Sequence, residues 1–114
     1  MVQNERTRTE IPPGTLYMLI LTTLARLGPL HGYGIARHIE EMSDDVLRVE
    51  EGSLYPALQR MVVKGWVTAE WTRTAGNRRA RFYRLTVAGR KQVGIERSEF
   101  DRVIQAITRV IQPA

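Results

Sequence analysis

Leu16, Leu19, Ile20, Leu24 and Leu27 recur at helical spacing and predict a first helix, begun after Pro12-Pro13-Gly14 and closed by Gly28-Pro29. A second helix opens at His31-Gly32-Tyr33-Gly34. Its expected buried stripe is Ile35, Ile39 and Met42, with Glu40 and Glu41 toward solvent, and Ser43-Asp44-Asp45 ends it. Val46 to Val49 is too short for a helix and reads as a brief strand.

A third helix is expected to start at Ser53, whose hydroxyl can cap free amides of the first turn. Pro56 supports that start, because a first-turn proline has no intrahelical hydrogen bond to lose. Leu54, Leu58, Met61 and Val62 then follow i, i+4, i+7, i+8 and face the core, leaving Tyr55, Gln59, Arg60 and Val63 outside. Lys64-Gly65 supplies a cation and a left-handed residue for the helix end.

From Trp66 to Thr74 the pattern switches to a period of two, with Val67, Ala69 and Trp71 on one side and Thr68, Glu70 and Thr72 on the other. Arg81 to Leu85 alternates as well, so the two runs form a hairpin whose turn, Ala75 to Ala80, is longer than the tight two-residue type. Thr86 is a suitable N-cap for a last helix of about 25 residues, roughly 37 Å long. Phe100, Val103, Ile104, Ile107, Val110 and Ile111 give that helix a heptad-like stripe. Such a stripe calls for a partner helix, and its first half has the alternative of folding back on its own domain.

Charge locates a further partner. From Arg60 to Lys91 there are nine basic residues against one acidic residue, Glu70, whereas Met1 to Gln59 holds five basic and eight acidic, and the remainder balances three to three. The net charge of +5 is therefore generated in one segment, the electrostatic footprint expected for a polyanion. Gly76-Asn77-Arg78-Arg79 would carry guanidinium groups on the tip of the hairpin.

Other chemistry is thin. At 114 residues the chain is one domain too small for a deep catalytic cleft, and no nucleophile–base pair or phosphate loop supports an enzyme. The absence of cysteine excludes disulfides and thiolate ligands and fits the cytoplasm; no apolar run approaches the ~20 residues that a membrane span needs. His31 and His38 lack a carboxylate or cysteine at ligand spacing, so neither a metal nor a cofactor is expected. Glu50 and Glu51 suit the start of the third helix better than acid–base work. Trp66 and Trp71 read as hairpin core.

Three helices and a two-stranded wing make the order of a winged helix-turn-helix, a mainly α fold with a small β-hairpin. The domains expected are a flexible arm at 1–11, a DNA-binding unit at 12–86 and a dimerisation helix at 87–112. Gly32-Tyr33-Gly34-Ile35, Glu51-Gly52-Ser53-Leu54-Tyr55-Pro56-Ala57-Leu58, Gly65-Trp66-Val67 and Arg81-Phe82-Tyr83-Arg84-Leu85-Thr86 with Gly89 closely resemble the PadR family of bacterial transcriptional regulators, in its shorter subgroup. The resemblance implies a homodimeric repressor on an inverted-repeat operator in double-stranded DNA, often released by a small-molecule effector. It also implies Ser53, Tyr55, Gln59 and Arg60 at the major groove and Arg78 and Arg79 on the wing.

Independently, Gln59 can pair with an adenine edge, and Arg60 or Lys64 can reach guanine or phosphate. Arg73, Arg78, Arg79 and Arg81 suit phosphate or a narrow minor groove. Tyr55 has two readings, a groove contact or packing against the hairpin. The competing function is a protein-interaction module without sequence-specific DNA binding.

Overall fold

Residues 8–113 are described by the computed structural model. Gly14, at φ 85°, turns the chain after the two prolines, and Thr15 donates through its amide (3.2 Å) and hydroxyl (2.8 Å) to the Pro12 carbonyl. Helix α1, Leu16–Leu27, follows. Its buried face is centred on Met18, Ile20, Leu21 and Leu24. Buried Thr23 has its hydroxyl satisfied by the Leu19 carbonyl at 2.8 Å. Leu27, expected inside, is 51% exposed, because the chain turns away at Gly28 (φ 83°) before another element covers the last residue.

Strand β2, Leu30–His31, leads into helix α2, Gly32–Met42. His31 caps it, Nδ1 accepting from the Gly34 amide at 2.9 Å. Ile35 and Ile39 are buried as expected, but Met42 is 63% exposed. It closes the helix just before Asp44 and Asp45, both with left-handed backbones, redirect the chain. Glu40 corrects another expectation: its carboxylate accepts from the Val49 amide at 3.0 Å and pairs with Arg8 at 3.4 Å, so it fastens the following loop. Glu41 does face solvent, paired with Arg37 at 2.8 Å.

The brief strand is β3, Leu47–Arg48, and it pairs in parallel with β1, Thr9–Glu10. The arm expected to be flexible through residue 11 is thus held from Thr9 onward by strand pairing; residues 1–7 lie outside the described part. Helix α3, Glu51–Val63, begins two residues earlier than expected. Glu50 occupies the cap position, and its carbonyl accepts from the Ser53 (3.0 Å) and Leu54 (2.9 Å) amides. Ser53 is therefore inside the first turn and caps nothing. Pro56 consequently falls one turn deeper, where it has no N–H to donate to the carbonyl of solvent-facing Gly52, four residues earlier. Leu54, Ala57, Leu58 and Met61 are at most 1% exposed and form the centre of the core, with Val62 half-buried beside them.

Gly65, at φ 79°, ends α3 and turns the chain into β4, Val67–Arg73. β5, Arg79–Leu85, returns antiparallel, beginning two residues before the expected Arg81. The sheet has a third member that the alternation does not reveal, since β2 pairs with β5 and the order is β2-β5-β4. At the hairpin tip Asn77 takes φ 61°, the Thr74 amide bonds to the Arg78 carbonyl at 2.8 Å, and Arg73 donates to Asn77 O and Oδ1 at 3.3 and 3.2 Å.

Helix α4, Val87–Ile111, starts at the expected cap: Thr86 Oγ1 accepts from the Gly89 amide at 3.0 Å while donating to Gly65 O at 2.6 Å. Its first half packs on α1 and β5. Phe100 is the last half-buried residue of the helix; from Asp101 to Pro113 every residue is exposed. The helix therefore projects, and the molecule measures 58 × 41 × 22 Å.

Candidate nucleic-acid interface

At about 100° per residue, α3 has its core side at Leu54, Leu58 and Met61 and its outward side at Gly52, Pro56, Gln59 and Val63. The expected contact residues divide between two flanks. Tyr55 lies on the flank beside α2 and the hairpin, with Gln59 next to it on the outward side. Arg60 and Lys64 lie on the other flank, against α1. There Arg60 Nε donates to the Tyr17 hydroxyl at 2.7 Å, and its guanidinium sits 5.7 Å from the Tyr17 ring centroid. Lys64 Nζ is 5.2 Å from the Trp66 ring, which meets Tyr17 edge-on at 5.5 Å. Ser53 lies on this second flank about two turns nearer the helix start, where it lines a separate recess with Ile11, Pro12, Arg48 and Val49.

The hairpin shows why its arginines gather. Directly paired residues share a face, and the face that buries Val67, Tyr83 and Leu85 at the base continues outward as Trp71 opposite Arg81 and Arg73 opposite Arg79. Past the core, this face is open. Two arginines directly opposite each other at the tip repel, a local conflict of a few tenths of a kcal/mol or more that suits a polyanion and not the isolated fold. Arg79 is turned onto Trp71, its guanidinium 4.9 Å from the ring centroid.

Between this face and the start of α2 lies an open groove of about 530 Å³, lined by Tyr33, Tyr55, Trp71, Arg78, Arg79 and Arg81 among others. Three of these are large exposed aromatics, Tyr33 at 65%, Trp71 at 58% and Tyr55 at 43%. Burial first, and then the Glu51 carboxylate and the Tyr83 phenol, push the Tyr55 phenol up from its ordinary value. It remains a neutral hydrogen-bond donor. Cations, aromatic faces and tyrosine hydroxyls in a shallow groove are chemistry for a sugar-phosphate backbone. Among the described residues no cluster of His, Asp or Glu could hold a metal ion, and no helix is long and apolar enough to cross a membrane.

A family description, the transcriptional regulator PadR-like family, matches residues 20–95, from within α1 to the first third of α4. The chain belongs to the PadR-like family of transcriptional regulators. Among solved structures it is similar to a transcriptional regulator from Clostridium thermocellum, with TM-score 0.79 at 24% identity over 87% of this chain and 95% of that one. A PadR family regulator from Clostridium difficile R20291 gives TM-score 0.69 at 27% identity, covering 87% and 99%. A third, from Eggerthella lenta, gives 0.72 at 23% identity, covering 89% and 85%. No relative among curated proteins matches. As a PadR-like regulator the chain is a DNA-binding transcription factor and not an enzyme.

In this PadR-like fold Tyr33 and Trp71 belong to the exposed surface, which the sequence pattern does not reveal, and buried Gly32 underlies it. Trp71, expected in the hairpin core, is 58% exposed, because the face it shares with Val67 and Ala69 leaves the core by the time it reaches Arg73. Trp66 is half-buried as expected. Arg73 points its guanidinium into the hairpin turn and does not line the groove.

Proposed function

We propose that the chain acts in the cytoplasm as a homodimeric repressor that binds an inverted-repeat operator, with α3 in the major groove and the wing along the adjoining backbone. The observation that carries the reading is the groove in which three wing arginines and three exposed aromatics converge beside α3. Tyr55, Gln59, Arg78, Arg79 and Arg81 are the proposed contact residues nearest that groove. Arg60, Lys64, Arg73 and Ser53 are flanking residues in this proposal, the first two reaching phosphate only on leaving their aromatic partners. Selection from a random pool of duplexes is expected to enrich two inverted half-sites about one helical turn apart, roughly 34 Å. Enrichment of no motif would leave a non-specific binder.

Gln59 has an amide on the outward side of α3 and is proposed to read a base edge. Gln59→Ala is expected to flatten preference at one position of each half-site by about 1–3 kcal/mol while leaving binding to unrelated duplex unchanged, measured by competition binding.

Dimerisation is proposed to use the distal half of α4. Val103, Ile104 and Ile107 are 40–47% exposed, and Val110 and Ile111 are 82% and 74% exposed. Their stripe continues the face by which the first half of α4 packs on its own domain. Covering it with a second copy gives on the order of 4–9 kcal/mol per chain as an upper bound. Phe100 sits at the inner margin of that stripe, over a groove of about 410 Å³ between α1 and α2 that includes Met18, Leu19 and Met42. In sedimentation, Ile107→Asp is expected to move a dimer of 13.1 kDa chains to monomer; an unchanged dimer would remove α4 from the interface. Release of the operator by a small-molecule effector belongs to the same proposal.

A further inference from the structure

Gly32 is the first residue of α2, is buried, and has no left-handed backbone to explain a glycine. Alanine there would be the better helix former. What the glycine provides is room. A Cβ built on Gly32 would lie 2.7 Å from both Cε1 and the hydroxyl oxygen of Tyr55 and 2.8 Å from Cζ, closer than real Cβ contacts come. The hydroxyl end of the Tyr55 ring thus rests directly on the Gly32 backbone, 23 residues away in sequence. Gly52 and Gly94, by contrast, have nothing within 4 Å of such a Cβ.

The far side of that ring is open. Tyr55 is 43% exposed in the groove that also holds Tyr33, Trp71 and the wing arginines. Its hydroxyl is delivered to the first turn of α2, an end of a helix where the aligned backbone dipoles favour an anion. Wing arginines supply long-range attraction from across the groove, but long side chains fix no register. A rigid phenol seated on backbone does.

We propose that Gly32 is a positioning residue for DNA contact: by lacking a side chain it lets Tyr55 lie across the start of α2 and present its hydroxyl to one phosphate of the strand in the groove. Gly32 touches no DNA itself and acts through Tyr55. The proposal rests on the reading of this groove as a DNA surface.

The test is a double-mutant cycle of Gly32→Ala and Tyr55→Ala, with Tyr55→Phe beside it, read by fluorescence anisotropy on a selected duplex across a salt series. Gly32→Ala is expected to bind about tenfold more weakly, with a melting temperature no lower than the parent's. In the Tyr55→Ala background, Gly32→Ala is expected to add nothing. Tyr55→Phe should reproduce most of the loss without disturbing the ring. Because a neutral hydroxyl releases no counterion, the slope of log affinity against log salt should stay as in the parent for all three. Additive losses, parental affinity of Gly32→Ala, or parental affinity of Tyr55→Phe would each overturn the proposal. Should the parent itself bind no duplex at low salt, the DNA reading of the groove fails and takes this inference with it; parental binding with additive losses sinks the inference alone.

Discussion

The double substitution Arg78→Ala with Arg79→Ala is expected to lower affinity for every duplex by a similar factor, on the order of 100-fold for two contacts of about 1.4 kcal/mol each. Both side chains are exposed at the wing tip, where Arg73 and Arg79 face each other across the strands. Guanidinium groups that hold phosphate supply affinity without sequence information, so ranking among duplexes should be preserved. The salt slope should fall by about 1.8, since each neutralised phosphate contributes about 0.9. Losing Arg79 also removes its stacking on Trp71, an exposed cation–π contact worth about 0.5–1 kcal/mol. Offsetting that, the Arg73–Arg79 repulsion is relieved, so the melting temperature should hardly move. A loss confined to one sequence, with an unchanged salt slope, would instead place these arginines on base edges.

Gly89→Ala should have the largest effect on stability of any single methyl added to the last helix. Gly89 is buried at the joint where the hairpin base meets α4, and a Cβ there would collide with the Trp66 carbonyl oxygen and come 2.9 Å from Leu85 Cδ2. The obstacle is backbone that already accepts from the Thr86 amide at 3.0 Å. It cannot rotate away as a side chain would. A cost of about 2–3 kcal/mol is expected, visible as a lower urea midpoint with an unchanged m-value. Gly94→Ala, five residues along the same helix, has open space around its Cβ and should stabilise by up to about 1 kcal/mol through helix propensity alone. Opposite signs for the two are the expected result; a stabilised Gly89→Ala would mean that α4 does not dock on the wing in this way.

Periodicity identified the faces well and their limits poorly. The spacing of Leu54, Leu58 and Met61 sufficed to find the centre of the core, and Thr86 with Gly89 was readable as a helix start because the cap and its partner are local in sequence. Leu27 and Met42 share the helical stripe of the buried residues, but whether a helix end is covered depends on where the next element goes. That was not written in either stripe. Ser53 looked like a cap by residue type, whereas Glu50 took the position because its carbonyl reaches the Ser53 and Leu54 amides.

Strand β2 contributes two residues, too few to alternate, and exists only because β5 offers an edge to Leu30 and His31. The candidate site follows the same division. Arginine content points to the wing tip, whereas the hydrogen bond from Arg60 to Tyr17, 43 residues distant, has no local sign. Contacts of that reach leave no local pattern. Gly32 and Tyr55 were both visible as motif residues; that one makes room for the other is a fact of packing.

The groove between α2 and the wing, together with the outward face of α3, is proposed to hold duplex DNA. Fluorescence anisotropy of a labelled duplex carrying the selected motif, titrated from about 50 to 200 mM salt, tests it most directly. Saturable binding is expected at low salt, weakening steeply as salt rises, with the selected duplex retained over a scrambled one at every point. No binding at the lowest salt, or affinity indifferent to salt, would mean that this surface does not hold DNA.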